Sequence, residues 1–443
     1  LASPSRTTIV TNVRLIDGLG KPPMERAHLA IRDGQILSLG NMAEAPSADA
    51  VLDGGGLTLM PGLIDAHAHL IYSGFRSLDA IDRCSIETAT VNAVVNAGVL
   101  LRAGYTAIRD VGSFEAVAVA IRDAIASDKI PGPTVVASGP IISATAGPGD
   151  TLAPHWSATH GLGRLVDGAE EIRREIRRQV RLGVDNIKLA ASGVEVGPHA
   201  WTWMTTFSEQ EISVAVEEAH RWGRTVAVHA QSYDSVRFAL RAGADTIEHG
   251  TRMDDETIAL FAQSGAVLVP TLSTLFSVLE LGASLNLLPK QREEMEINAP
   301  LWLDSLRRAR AAGVPVAAGG DIGNRYPQGS NAREMALLVR AGLTPMEALC
   351  AGTSVAARAL KRHTRTGSLE TGKAADLLLF DGDPLADVEG LQDRARIALV
   401  VKAGRAVAGT LWPGGPTENP PVGASAAPKK ASTMAPALNA ATP

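Results

Sequence analysis

Leu63-Ile64-Asp65-Ala66-His67-Ala68-His69-Leu70 places two histidines two residues apart inside an otherwise apolar run. Side chains alternate along a strand, so His67 and His69 share one face. Two neutral imidazoles aimed into one buried space are costly unless something accepts their lone pairs, and a divalent metal does so. The reading of the whole chain then turns on whether other buried strands end in further ligands.

Outward from this stretch, short Val/Ile/Ala runs alternate with long segments of helical period. Strands are predicted at 59–69, 106–110, 134–138, 186–191, 225–229, 246–249, 266–271 and 314–319, with helices at 168–182, 208–222, 233–242 and 291–312. Such a repeat predicts the α/β class and a (β/α)8 TIM barrel, whose functional groups gather at the C-terminal ends of the strands. An open doubly wound sheet would want a glycine-rich phosphate loop after its first strand, and His67-Ala68-His69 stands there instead.

Both chain ends read differently. Thr8 to Ile16, Ala30 to Arg32 and Gln35 to Leu39 are short β-rich runs with turns at Asp17-Gly18 and Asp33-Gly34, and similar runs return at Ala375 to Asp381 and Ile397 to Arg405. They predict a small β-sandwich domain built from both ends. The expected division is 1–58 and 367–411 for the sandwich and 59–366 for the barrel. Residues 412–443 form a low-complexity tail, too poor in large apolar side chains to order itself.

The composition narrows the partners. A chain of 443 residues, 45% of them hydrophobic, can bury a site, and its net charge of −5 comes without a basic stripe, which argues against nucleic acid. No run is apolar enough to span a membrane. Cys84 and Cys350 stand far apart, supporting neither a disulfide framework nor a thiolate zinc site. The start, Leu1-Ala-Ser-Pro-Ser, suits the polar beginning of an exported mature protein, which leans the expectation toward a periplasmic or secreted location.

Polar residues collect where a barrel would place a site: His67 and His69, Lys188 within Asn186-Ile-Lys-Leu-Ala, His229 ending Val226-Ala-Val-His, His249 after Thr246-Ile-Glu, and Asp321 after Gly319-Gly320. A lone histidine in such a run is more often a hydrogen-bonded core residue than a ligand. Lys188 could be held by an ion pair, and Asp321 could cap a helix or close a turn. Their joint placement at strand ends favours a site. His28, His220 and His363 sit in polar surroundings and read as surface residues, while His155, His160 and His199 fall in loops predicted over the barrel mouth.

Taken together, Pro61-Gly-Leu-Ile-Asp-Ala-His67-Ala-His69, Ile187-Lys188, His229, Glu248-His249-Gly250, Gly319-Gly-Asp321 and the closing Gly367-Ser-Leu-Glu-Thr-Gly-Lys-Ala-Ala-Asp376 resemble the amidohydrolase superfamily. The context of His229 and His249 is similar to its imidazolonepropionase-related branch, which takes in Xaa-Pro dipeptidases and ochratoxinase-like members. The resemblance implies two divalent metal ions, zinc foremost. His67, His69 and Asp321 would hold one and His229 and His249 the other, with Lys188, carboxylated by carbon dioxide, as the bridge. Asp321 would carry the proton from water to the leaving nitrogen, and Tyr233 would bind substrate near its carboxylate.

Two departures bear on specificity. Ala146-Gly-Pro-Gly-Asp150 stands where many dipeptidase relatives carry Gly-His-Gly, and Gln328-Gly329 where they often have His-Gly. A flatter, more apolar acyl group is then expected, as in an ochratoxin-type aromatic amide, with Trp156, Trp201 and Trp203 as walls or as subunit contacts. The expected function is release of a terminal amino acid from an N-acyl amino acid or dipeptide. The alternatives are cyclic amide hydrolysis and a non-catalytic scaffold. The expected partner is a small-molecule amide, and the resemblance also implies a homo-oligomer, octamers included.

Overall fold

The computed structural model describes residues 6–75, 77–153, 155, 160–197, 199–281, 287–409 and 411. The expected tail and Trp156 lie outside these residues.

In chain order the strands are β1 (Thr7–Leu15), β2 (Met24–Arg32), β3 (Gln35–Asn41), β4 (Ala50–Asp53), β5 (Thr58–Pro61), β6 (Leu63–Ala68), β7 (Tyr105–Asp110), β8 (Thr134–Val136), β9 (Ile141–Ser143), β10 (Gly163–Leu165), β11 (Asn186–Ala190), β12 (Thr225–Ala230), β13 (Thr246–His249), β14 (Val267–Val269), β15 (Leu377–Phe380), β16 (Ile397–Lys402) and β17 (Arg405–Gly409). Strands from both chain ends join in one eight-stranded sheet of order β17-β16-β15-β5-β1-β2-β3, with β4 on β1. It is a single hydrogen-bonded sheet that bends back on itself, since Gln35 of β3 bridges Ala374 beside β15. Val10, Leu29, Leu59, Leu377 and Leu399 meet in its core.

The run predicted as one strand at 59–69 divides at Gly62. A side chain there would meet Thr106 at 2.3 Å, so only glycine lets the chain pass from the terminal sheet into β6. From β6 to β14 the strands pair in parallel, in sheets of order β6-β7-β8 and β10-β9-β11-β12-β13-β14. A bridge from Ser138 to Asn186 links β8 to β11. The strand expected at 314–319 is reduced to one bridge, Leu268 to Val316. Its backbone still spans the remaining gap: Leu268 N donates to Pro315 O at 2.9 Å, and Ala66 N donates to Ala318 O at 2.9 Å. The paired Gly319-Gly320 that follows brings the chain against β6 without the regular ladder a strand needs. Ile64, Ala107, Val136, Val269 and Ala317 share one core, which ties these strands together from within.

Local sequence explains the intervening helices. Ser208 with Glu211, and Ser232 with Ser235, form reciprocal capping boxes that start Glu209–Arg221 and Tyr233–Ala242. Gly183 and Gly243 end their helices in the left-handed conformation. No helix among the described residues is long and apolar enough to cross a membrane. His28, expected at the surface, is buried in β2, where its Nδ1 donates to Asn41 O at 2.9 Å. Glu25, Arg26 and Arg32, the polar residues that suggested a surface position, are exposed at the two ends of the strand, while 27–31 are buried together.

Candidate metal centre

Four buried imidazoles each commit one ring nitrogen to an acceptor, which leaves the other nitrogen without a proton. His67 Nδ1 donates to Glu248 Oε2 at 2.6 Å, and His69 Nδ1 donates to Gly112 O at 3.0 Å. His229 Nε2 donates to Gly193 O at 2.9 Å. His249 Nδ1 donates to Thr271 Oγ at 2.6 Å, because that hydroxyl spends its own proton on Pro270 O. Such second partners assign the tautomer and aim the free lone pair.

The four rings gather together. His67 and His69 have ring centroids 5.5 Å apart, His67 and His249 5.3 Å, and His229 and His249 4.4 Å. Asp321 Oδ1 lies 3.8 Å from His67 Nε2 and 3.5 Å from His69 Nε2, and Oδ2 accepts from Thr274 Oγ at 2.9 Å. One ligand atom from each of His67, His69 and Asp321 falls within 4.8 Å of the others, a grouping able to hold a cation. Lys188 reaches the same cavity from β11, and its buried Nζ has no hydrogen-bond partner among the described residues. Burial pushes the Lys188 amine down to about 8 and His229 down to about 4, and it holds His67 and His249 well below the usual imidazole range.

Backbone placement explains how residues so far apart in sequence meet. The pairing of β6 on β7 shifts register between Asp65 and Ala68, beside both histidines. A side chain at Gly319 would come 2.6 Å from His67 Cβ, so glycine alone lets the chain run past His67 to deliver Asp321. His249, Thr271 and Asp321 have φ of 71°, 48° and 47°, a left-handed backbone that costs a non-glycine residue energy and that clusters at functional sites.

Several supporting residues were not singled out from sequence. Fully buried Arg109 donates to Glu248 Oε1 at 2.7 Å and to Ala66 O at 2.8 Å, which fixes the carboxylate that orients His67. Asp65 accepts from His67 N at 2.9 Å and Gly320 N at 3.0 Å, and burial raises it to about 6. Asp110 accepts from Leu70 N at 2.8 Å and is raised by burial to about 7. Their sequence signal is an acidic or basic residue within an apolar strand, the same signal that marked Lys188.

His67, His69, Lys188, His229, His249 and Asp321 all line one cavity of about 650 Å³, part of it open to solvent. Ile141, Pro148, Leu162 and Val194 give it an apolar wall, and Tyr72 stacks on His69 with centroids 4.1 Å apart. Tyr233 does not line it: it is the first residue of its helix and is 43% exposed. His155, His160, His199, Trp201 and Trp203 do not line it either. Of the two departures, Pro148 and Gly149 face the cavity, while Gln328 Nε2 donates to His69 O at 3.0 Å and Ile322 O at 2.9 Å, a role in holding backbone.

Imidazoles with their protons turned outward, a carboxylate and a lysine, gathered toward the C-terminal ends of parallel strands, define a metal-dependent hydrolase. The chain belongs to the amidohydrolase family, whose model matches residues 58–407, and is an amide-bond hydrolase. Ochratoxinase of Aspergillus niger is 31% identical over 431 residues, covering 90% of this chain and 86% of that protein. The crystal structure of the A. niger ochratoxinase superposes with a TM-score of 0.83 at 29% identity, covering 92% of this chain and 96% of that one. A Xaa-Pro dipeptidase with bound methionine in the active site superposes with a TM-score of 0.83 at 28% identity, covering 90% and 99%. Imidazolonepropionase of Geobacillus kaustophilus is 27% identical over 413 residues, covering 87% of this chain and 90% of that protein.

Proposed function

We propose that the protein is a binuclear metal-dependent hydrolase that releases a terminal amino acid from N-acyl amino acids or dipeptides, working from a closed (β/α)8 barrel formed by residues 59–366. The observation that carries this reading is the set of four imidazoles with outward protons beside a buried Lys188 Nζ that has no hydrogen-bond partner among the described residues. A buried amine without an acceptor is costly. Addition of its nitrogen to carbon dioxide, with loss of one proton, turns it into an anion with two oxygens.

His67, His69 and Asp321 would hold one divalent cation and His229 and His249 a second, with carboxylated Lys188 as a further anionic ligand. Imidazole and carboxylate oxygen suit zinc first. When bound, such ions make water more acidic and polarise the scissile carbonyl. Asp321 takes the proton of the attacking water and passes it to the leaving nitrogen, which departs as a neutral amine. Thr274 holds the far oxygen of that carboxylate and so fixes its orientation. The apolar wall receives the acyl group, and Tyr72 shields the His69 side from bulk water.

Relatives named for ochratoxin and for Xaa-Pro dipeptides support a terminal amino acid as leaving group. The test is a panel of N-acyl amino acids, dipeptides and an ochratoxin-type aromatic amide, incubated with protein supplied with zinc and bicarbonate. Free amino acid release is expected. Ring opening of a cyclic amide with no amine released would replace this reading with an imidazolonepropionase-like one.

A further inference from the structure

Asp321 stands between two clefts. One is the cavity of the imidazoles; the other, of about 510 Å³, shares Tyr72, Val194, Glu195, Thr274 and Asp321 with it and continues to Arg325. Arg325 lies on the loop that follows Asp321. Gly74 N donates to Gly323 O at 2.7 Å, and Gly323 N donates to Tyr326 O at 3.1 Å, so this loop is tied to the chain just after His69.

The Arg325 guanidinium has spare capacity. Arginine offers five N–H donors, and here Nη1 donates to Ser277 Oγ at 3.1 Å, with no carboxylate of a described residue within ion-pair distance. The nearby Glu280 is already taken, by Arg333 at 2.5 Å and by Tyr326 Oη at 2.5 Å. Glu195 and Asp321 influence Arg325 through space without pairing with it. A guanidinium lining a cleft without a carboxylate partner matches a planar anion well.

We propose that Arg325 is the specificity-determining residue that pairs with the free carboxylate of the leaving amino acid. This rests on the amide hydrolase reading above. In an N-acyl amino acid the carboxylate sits one carbon from the scissile nitrogen, so a carbonyl held among the imidazoles places it in the cleft beyond Asp321. Tyr233, the group expected near that carboxylate, lines neither cleft.

The test compares N-acetyl-L-phenylalanine with N-acetyl-L-phenylalaninol, which has the same amide but no carboxylate. Arg325→Gln is expected to raise KM for the acid about 10- to 100-fold, to change kcat little, and to leave the alcohol unaffected. Arg325→Lys, which keeps the charge without the planar fork, should recover part of the loss. Equal effects on both compounds, or no effect on either, would overturn the assignment. Equilibrium dialysis of both compounds against Asp321→Asn, with and without Arg325→Gln, separates the two readings. Arg325-dependent uptake of the acid over the alcohol, with no hydrolysis by the parent protein, sinks only the hydrolytic reading. Uptake that ignores the carboxylate sinks the anion subsite.

Discussion

Lys188 and Asp321 carry different parts of the chemistry, and their removal should fail in different ways. Lys188→Ala deletes the proposed bridge while leaving the four imidazoles, so turnover should fall by about 10³-fold or more, together with a loss of bound metal. Asp321→Asn keeps an oxygen ligand but cannot carry a proton, so turnover should fall similarly while most of the metal is retained. Kinetics paired with metal analysis of each variant checks this, and near wild-type turnover in either would remove the role given to that residue. At this scale the sequence was most readable where a polar residue interrupts an apolar strand, as at His67, His69, Lys188 and His249. Tyr233, expected near the substrate carboxylate, begins its helix and is 43% exposed, and its place in the sequence does not fix which way such a residue faces. Arg325 lies in a loop among other polar residues, where only its neighbours in space show that no carboxylate of a described residue pairs with it.

Among elements, the helix Leu272–Leu281 matters most to the site, because its Thr274 holds Asp321. Glu334, from the helix Arg333–Arg340, anchors it: Oε1 accepts from Leu272 N at 2.8 Å and Oε2 from Ser273 N at 2.7 Å. A carboxylate against the first amides of a helix complements their exposed N–H groups. Burial nevertheless raises Glu334 from 4.5 to about 8. The folded chain therefore holds this proton more tightly than the unfolded chain. The stability tied to it is fully present below about pH 4.5 and is lost as pH rises through about 8. In chelator-treated protein, the melting temperature of the parent should fall more steeply than that of Glu334→Gln between about pH 5 and about pH 9. Parallel curves would show that Glu334 does not titrate in this way. The strand pattern was legible wherever hydrophobic runs were bounded by turn residues, as at Thr246–His249, which matches its expected span. β9 and β10 escaped where β8 and β14, equally short, did not, because β9 sits among Gly, Pro, Ser and Thr residues and β10 holds a single apolar side chain, Leu165. The segment at 314–319 has strand composition but ends in two glycines that loosen its ladder.

Across the whole molecule, the proposed ligands come from β6 and the residue just after it, His69, from β11, β12 and β13, and from the loop after Gly320, so bound cations would cross-link strands from separate parts of the chain. Removing them should lower the melting temperature by about 5–15 °C, restored by zinc, since a ligand that binds only the folded state stabilises it. A melting temperature indifferent to chelation and to added zinc would argue against metal at these residues. The pairing of both chain ends in one sheet was readable from matching β-rich runs and Asp-Gly turns, whereas its bend back at Gln35 depends on contacts far apart in sequence. The most direct test of the central claim is amino acid release from an N-acyl amino acid by metal-stripped protein titrated with zinc in bicarbonate buffer. Release that rises to a plateau at about two zinc ions per chain is predicted; no release at any ratio, or release unchanged by stripping the metal, would contradict it.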